Sequence, residues 1–129
     1  MTETLTIAEA AERLSVTTDT LRYYERDGLM LRPVGRSASG HRRYDANDVR
    51  WVLLVTRLRG TGMSIRDVRR YADLVREGTG NELERLELLQ EHRTKVLAQL
   101  AEVQQHLGAI DHKIGIYTDH LEGRDAGAA

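Results

Sequence analysis

TTDTLRYYERDGLMLRPVGRSASGHRRY, residues Thr17 to Tyr44, is the stretch around which the chain is organised. It reads as a short helix, a glycine stop, a hairpin and a returning strand. Arg22, Arg26, Arg32, Arg36, His41, Arg42 and Arg43 make it basic, and Tyr23 and Tyr24 lie inside the basic run. A cap at Thr17 or Thr18 starts the helix, which runs through Arg26. Asp27-Gly28 stops it, because glycine accepts the left-handed conformation at a helix end. Arg22 and Arg26 are one turn apart and share a face. Tyr23 and Tyr24 cannot share a face, so one packs inward and the other points out. Leu29 to Leu31 has strand character, Pro33 suits an edge or turn, and Gly35 to Gly40 is loop chemistry. His41 to Tyr44 is the expected return strand. A hairpin placed after such a helix is a wing.

Upstream, Thr6-Ile7-Ala8-Glu9 fits a capping box, and Ile7, Ala10, Ala11 and Leu14 follow at helical spacing. Ser15-Val16-Thr17 is then the turn of a helix-turn-helix. Downstream, Asp45 caps a third helix with Val49, Val52, Leu53 and Thr56 on one face. Trp51, Leu54, Val55 and Leu58 widen that face, so the helix should be buried on more than one side. It ends at Gly60-Thr61-Gly62. Ser64 caps a fourth helix carrying Ile65, Val68, Tyr71, Ala72 and Val75, and Gly78-Thr79-Gly80 breaks it.

From Asn81 to Leu121 the pattern is one long helix, with Thr79-Gly80-Asn81-Glu82 as its expected capping box. Leu86, Leu89, Arg93, Val96, Leu100, Val103, Leu107, Ile110, Ile114, Tyr117 and Leu121 follow in alternating steps of three and four. That is a heptad seam over about five heptads, on a helix roughly 60 Å long. Such a stripe needs a partner, and no second long helix exists in the chain, so the partner is most simply another copy. Gly108 and Gly115 lie off the seam, one heptad apart, each costing about 1 kcal/mol relative to Ala. They mark a weak point, a bend or a break. The expected domains are 1–76 for a DNA-binding part, 79–121 for a pairing helix and 122–129 for a disordered tail.

Composition narrows the function. At 129 residues the chain is about one domain long. No run approaches the roughly 18 apolar residues of a membrane span, and MTETLTIAEA is not a signal peptide, so a cytoplasmic, nucleoid-associated location is expected. The absence of cysteine excludes disulfides, thiolate zinc sites and iron–sulfur clusters within the chain. The net charge of −1 hides a split: residues 1–73 hold 13 Lys/Arg against 10 Asp/Glu, +3, and residues 74–129 hold 6 against 10, −4. The basic half contains Thr17–Tyr44, as a polyanion-binding part would. His92, His106, His112 and His120 are 14, 6 and 8 apart, which puts no two of them at i, i+4, so no metal site is expected. No nucleophile–base set or phosphate loop points to an enzyme, and no cofactor is expected.

The chain resembles the MerR family of bacterial transcription regulators. The resemblance rests on Leu5-Thr6-Ile7-Ala8-Glu9-Ala10-Ala11 and Thr20-Leu21-Arg22-Tyr23-Tyr24-Glu25-Arg26-Asp27-Gly28-Leu29. It continues through Gly40-His41-Arg42-Arg43-Tyr44 and Leu58-Arg59-Gly60-Thr61-Gly62-Met63-Ser64-Ile65, covering roughly residues 4–76. It implies a mainly α fold: a winged helix-turn-helix DNA-binding domain followed by a long dimerisation helix in an antiparallel coiled coil. The second helix would enter the major groove. Arg22 and the outward member of Tyr23 and Tyr24 would contact backbone and base edges. Arg42 and Arg43 would hold phosphates from the first wing, and Arg59 from the second, with Tyr44 packed beneath. Thr17 and Arg36 complete the expected DNA-facing set. The expected pairing set is Leu86, Leu89, Val96, Leu100, Val103, Leu107, Ile110, Ile114 and Tyr117.

Family members bind a near-palindromic promoter as homodimers and distort its spacer so that RNA polymerase can engage it. A departure is Met63, where the family usually has Phe, which loosens the second wing. Relatives that sense metals or redox state use cysteines, which this chain lacks. A small-molecule effector would have to use a crevice, and Trp51, Tyr71 and Tyr117 are candidates to line one. The alternative reading is an effector-independent DNA-bending accessory protein, which the long heptad disfavours.

Overall fold

Local capping chemistry sets the helix starts. Thr6 Oγ1 accepts from the Glu9 N–H at 3.1 Å while the Glu9 carboxylate accepts from the Thr6 N–H at 2.8 Å, the reciprocal box expected from sequence. Asp45 and Asp48 form a second such box. Thr17, rather than Thr18, caps the helix that follows the turn. The computed structural model, which describes residues 3–123, has the order β1 (Leu5–Thr6), α1 (Ile7–Leu14), α2 (Thr18–Arg26), β2 (Gly35–Arg36), β3 (Arg42–Tyr44), α3 (Ala46–Gly60), α4 (Ile65–Glu77) and α5 (Glu82–Leu121), and these caps open α1, α2 and α3. The fold is mainly helical, an N-terminal winged helix-turn-helix followed by one long helix. The expected tail at 122–129 lies, beyond Gly123, outside the described residues.

The chain divides into two compact units, residues 1–90 and 91–129. In the first, α1 packs on α2, α3 and a three-stranded antiparallel sheet of order β1-β3-β2. Ser15 makes the turn between α1 and α2 at φ 56°, a left-handed position reached by a non-glycine residue, and its N–H closes onto Ala11 and Glu12 carbonyls. The core is aliphatic with Tyr24, Tyr44 and Trp51 built in. Leu21, Leu29, Tyr44, Val52, Val55 and Val68 are its most deeply enclosed large side chains.

The structure departs from several expectations. Leu29–Leu31 is not a strand; β3 pairs instead with Gly35–Arg36 on one side and with Leu5–Thr6 on the other. Leu29 and Met30 are both buried, without the alternation a half-buried strand needs. Their carbonyls are taken by side chains from elsewhere: Trp51 Nε1 donates to Leu29 O at 2.7 Å, and Arg76 donates to Met30 O at 2.5 and 3.2 Å. The most buried line of α3 is Asp48, Trp51, Val52, Val55 and Leu58, with Val49, Leu53, Leu54 and Thr56 half-buried beside it. The α5 start is not a Thr79 box; the Glu82 carboxylate accepts from the Gly80 N–H at 3.0 and 3.1 Å, while the Asn81 side chain bonds Leu74 O and Arg85. Gly108 and Gly115 do not break α5, which is continuous over 40 residues. Met63, expected to loosen the second wing slightly, is buried at 2% exposure.

Candidate nucleic-acid interface

The candidate interface is built on α2 and the wing. Apolar positions Leu21 and Tyr24, three apart, face the core. This phase fixes the rest of the helix: Tyr24 is the inward tyrosine, at 6% exposure, and leaves the DNA-facing set. Tyr23 is half-buried, its ring 6.0 Å from that of Tyr24 and tilted by 48°. The Arg26 guanidinium lies 5.6 Å from the centre of the Tyr23 ring, a cation–π contact that steadies the outward ring. Arg22 Nη1 bonds Asp19 at 3.1 Å and Thr18 at 3.2 Å. The hydroxyl of Thr17 is occupied by the cap, accepting from the Thr20 N–H at 3.0 Å.

The wing is tied to α2 through one carboxylate. Arg42 Nε donates to Glu25 Oε2 at 2.5 Å and Arg36 Nη2 to Glu25 Oε1 at 3.3 Å. Strand alternation explains the split along β3. Arg42 and Tyr44 share one face, with Tyr44 buried at 1% and its pKa raised by that burial. Arg43 faces the other way and donates to the Thr4 hydroxyl and carbonyl, both at 2.9 Å. At the wing tip, the Ser37 N–H donates to His41 O at 2.8 Å, and Ser39 bonds the His41 ring at 2.9 Å. Arg32 pairs with Asp45 at 2.9 Å. In the turn joining α3 to α4, Arg59 Nη1 donates to Met63 O at 2.5 Å and Thr61 caps α3 through Arg57 O and Leu58 O. Arg22, Arg36 and Arg59 are solvent-exposed, and Arg42 and Arg43 half-buried.

Sequence reasoning missed the groups that hold this arrangement. Glu25 is one. Arg69 and Arg76 of α4 are others: Arg69 donates to Asp27 O at 3.3 Å, and Arg76 to Gly28 O and Met30 O, both carbonyls of the α2–wing loop. Their spacing of seven places them on one helix face, but backbone carbonyls more than 40 residues away leave no local signal.

Two families of sequence models match the chain, "MerR HTH family regulatory protein" over residues 5–74 and "MerR, DNA binding" over residues 49–113. The chain belongs to the MerR family. An HTH-type transcriptional regulator of Haemophilus influenzae is 37% identical over 114 residues, covering 88% of this chain and 84% of that protein. The regulator AdhR of Bacillus subtilis is 37% identical over 93 residues, 72% of this chain and 66% of its own length. The crystal structure of HiNmlR, a MerR family regulator lacking the sensor domain and bound to promoter DNA, superposes with a TM-score of 0.85 at 34% identity, covering 92% of this chain and 89% of that one. The present chain is a MerR-type transcription regulator.

The second unit consists of α5 beyond Gln90. Its seam residues Leu100, Val103, Leu107, Ile110, Ile114 and Tyr117 are 51–60% exposed. Leu86 is 50% exposed, while Leu89 and Val96 are half-buried. No helix among the described residues is long and apolar enough to cross a membrane. No group of three or more His, Cys, Asp or Glu among them could hold a metal ion; His106 lies 3.7 Å from Glu102. Of the three aromatic residues expected at a crevice, Trp51 and Tyr71 come together as a stacked pair, centroids 5.8 Å apart. Tyr117 belongs to the second unit.

Proposed function

We propose that two copies of this chain pair through α5 as an antiparallel coiled coil and bind a near-palindromic promoter, distorting its spacer to control transcription. The observation that carries the reading is the unbroken 40-residue α5 with its apolar seam exposed. Residues 79–121 are the pairing helix, using Leu86, Leu89, Val96, Leu100, Val103, Leu107, Ile110, Ile114 and Tyr117. Residues 1–76 read DNA. Arg22 and Tyr23 of α2 face the major groove, with Thr17 at its first turn. Arg36, Arg42 and Arg43 hold phosphates from the first wing, and Arg59 from the α3–α4 turn. Most of these contacts position the protein; the spacing of two lobes and the deformability of the DNA between them select the site. HiNmlR, bound to promoter DNA, supports the DNA half of this reading. The regulator acts in the cytoplasm on the chromosome, beside RNA polymerase.

Leu107→Lys tests the pairing, because it places a charge in the seam. Light scattering should show monomers, and promoter affinity should fall with them. The DNA reading is tested by salt: binding to a palindromic promoter fragment should weaken steeply between low and moderate ionic strength. An unchanged dimer removes the seam as interface, and a flat salt response removes the phosphate contacts.

A further inference from the structure

A cavity of about 510 Å³ lies between α3, α4, the loop at 30–32 and the first turns of α5. That is within the range of about 300–1,000 Å³ typical of small-molecule sites. One side of its wall is apolar: Trp51, 8% exposed, and Tyr71 stack with planes 8° apart, and Leu54 and Val75 extend the surface. A planar ring can add to such a stack by offset packing. Arg50 and Arg85 also line the cavity. Neither lies within ion-pair distance of a carboxylate among the described residues, although the Glu82 carboxyl, held below its usual range first by the backbone N–H groups of Glu82 and Gly80, is lowered further by the Arg85 charge. Arg50 bonds the Asn47 amide oxygen, and Arg85 bonds Asn81 Oδ1 at 2.7 Å and the Gly78 carbonyl. The third guanidinium, Arg32, is already matched by Asp45. The acidic group in the wall, Asp48, is committed to the α3 cap, its Oδ2 accepting the Asp45 N–H at 3.0 Å. Arg85 has Nε and Nη2 committed, whereas Arg50 spends one Nη on a neutral amide. A guanidinium fork without a carboxylate partner takes a carboxylate in two parallel bonds, which makes Arg50 the primary anion site and Arg85 a supporting charge.

We propose that this cavity binds a small aromatic carboxylate and that this ligand is the regulator's effector. Ring and charge are both needed: the ring packs on the accessible face of the Trp51–Tyr71 stack, and the carboxylate meets Arg50 with Arg85 beside it. The route to DNA is the loop itself. Met30, Leu31 and Arg32 form one side of the cavity, and this segment joins α2 to the wing. The carbonyls at its start, of Leu29 and Met30, are held by Trp51 and Arg76, so a ligand wedged against it biases the angle between recognition helix and wing. The binding half stands alone; the regulatory half rests on the promoter-binding reading above.

Trp51 is the single tryptophan of the chain, so the site carries its own probe. The full-length protein without DNA is titrated with benzoate and with biphenyl-4-carboxylate, each against its amide and against acetate. Trp51 emission, with calorimetry in parallel, should show saturable binding of one or both aromatic carboxylates, about tenfold or more tighter than amide or acetate. Arg50→Gln, at an exposed position, should weaken the carboxylate about tenfold and leave amide binding unchanged. Leu54→Phe, which fills the cavity, should abolish both. Equal affinity for acid and amide, or no saturable response to any probe, overturns the site. So does a blue-shifted, unresponsive Trp51 in the dimer that becomes red-shifted and responsive in Leu107→Lys, because the partner helix then occupies the cavity. Promoter affinity measured with saturating carboxylate should change at least about fivefold. Ligand binding with promoter affinity unchanged overturns the effector role and leaves the promoter reading intact.

Discussion

Glu25 joins the recognition helix to the wing, and Glu25→Gln isolates what that junction does. The substitution keeps volume and one acceptor but removes the charge that Arg36 and Arg42 share. The Arg36 side chain is 46% exposed, so its pair counts as a surface contact worth about 0.2–1 kcal/mol. The Arg42 side chain is 26% and Glu25 21% exposed, at 2.5 Å; this charge-assisted bond belongs in the range of about 1.5–3 kcal/mol, and glutamine retains part of it. The net loss is about 1–2 kcal/mol, a melting-point fall of about 4–8 °C for a chain of this size.

DNA binding separates stability from positioning. With one fewer negative charge per lobe, affinity for scrambled DNA should rise and its salt dependence should steepen. Affinity for the promoter should not rise in step, because the wing loses its fixed attitude to α2. The ratio of specific to non-specific affinity should therefore drop, by about tenfold for 1.4 kcal/mol. Anisotropy titrations on a footprinted promoter fragment and on a scrambled duplex, at several salt concentrations, measure it. A ratio that holds or increases would refute the positioning role, and an unchanged melting point would refute the clamp.

Two other tests follow from the helices. No neighbouring atom lies within 4 Å of an added Cβ at Gly108 or Gly115, so each Gly→Ala change should stabilise by about 1 kcal/mol; thermal melts that fall would mean those faces are buried against something. Glu9 has its pKa held below the usual 4.5, first by the Thr6 backbone N–H and then by the Thr6 hydroxyl. A depressed carboxylate contributes stability in full above 4.5 and loses it as pH falls through the lowered value. Glu9→Gln should accordingly destabilise at neutral pH, with wild type and variant converging well below 4.5; a gap that persists in acid would place the effect elsewhere.

How much could be read in advance depended on how far each interaction reached along the chain. The Thr6–Glu9 box closes over three residues and was legible in full, whereas at Asp45 the cap was legible but its reciprocal partner Asp48 was not. The heptad of α5 was legible because one helix repeats its own phase. The choice between Tyr23 and Tyr24 was open from the local pattern, although Leu21 three residues before Tyr24 held the answer. Leu29–Leu31 misled because its carbonyls are satisfied by Trp51 and Arg76, 22 and 46 residues away, and an apolar run alone does not distinguish a strand from an enclosed loop. β1 escaped notice because two residues carry no alternation. Glu25 read as one helical acid among arginines until the wing folded back onto it.

These long-range ties bear on how a modest charge excess can grip DNA. Arg22 is held by Asp19, Arg36 and Arg42 by Glu25, and Arg43 by Thr4. In the proposed complex none of them is recruited from free solution. The half-buried Arg42 and Arg43 already sit in one arrangement, so for them much of the rotamer entropy that ordering a long side chain costs, up to about 2 kcal/mol apiece, is met in folding. Phosphate then adds to, or replaces, an existing acceptor. The same carboxylates also repel a backbone that arrives out of register, since Asp19 and Glu25 stand beside the arginines they hold. Weak net attraction combined with fixed donors and nearby acids favours one docking geometry over many, and discrimination grows from what is repelled as well as from what is bound. On the proposed reading, in which two half-sites are held while the spacer between them is distorted, rigidity at each lobe is the requirement, because a compliant lobe would yield before the DNA does.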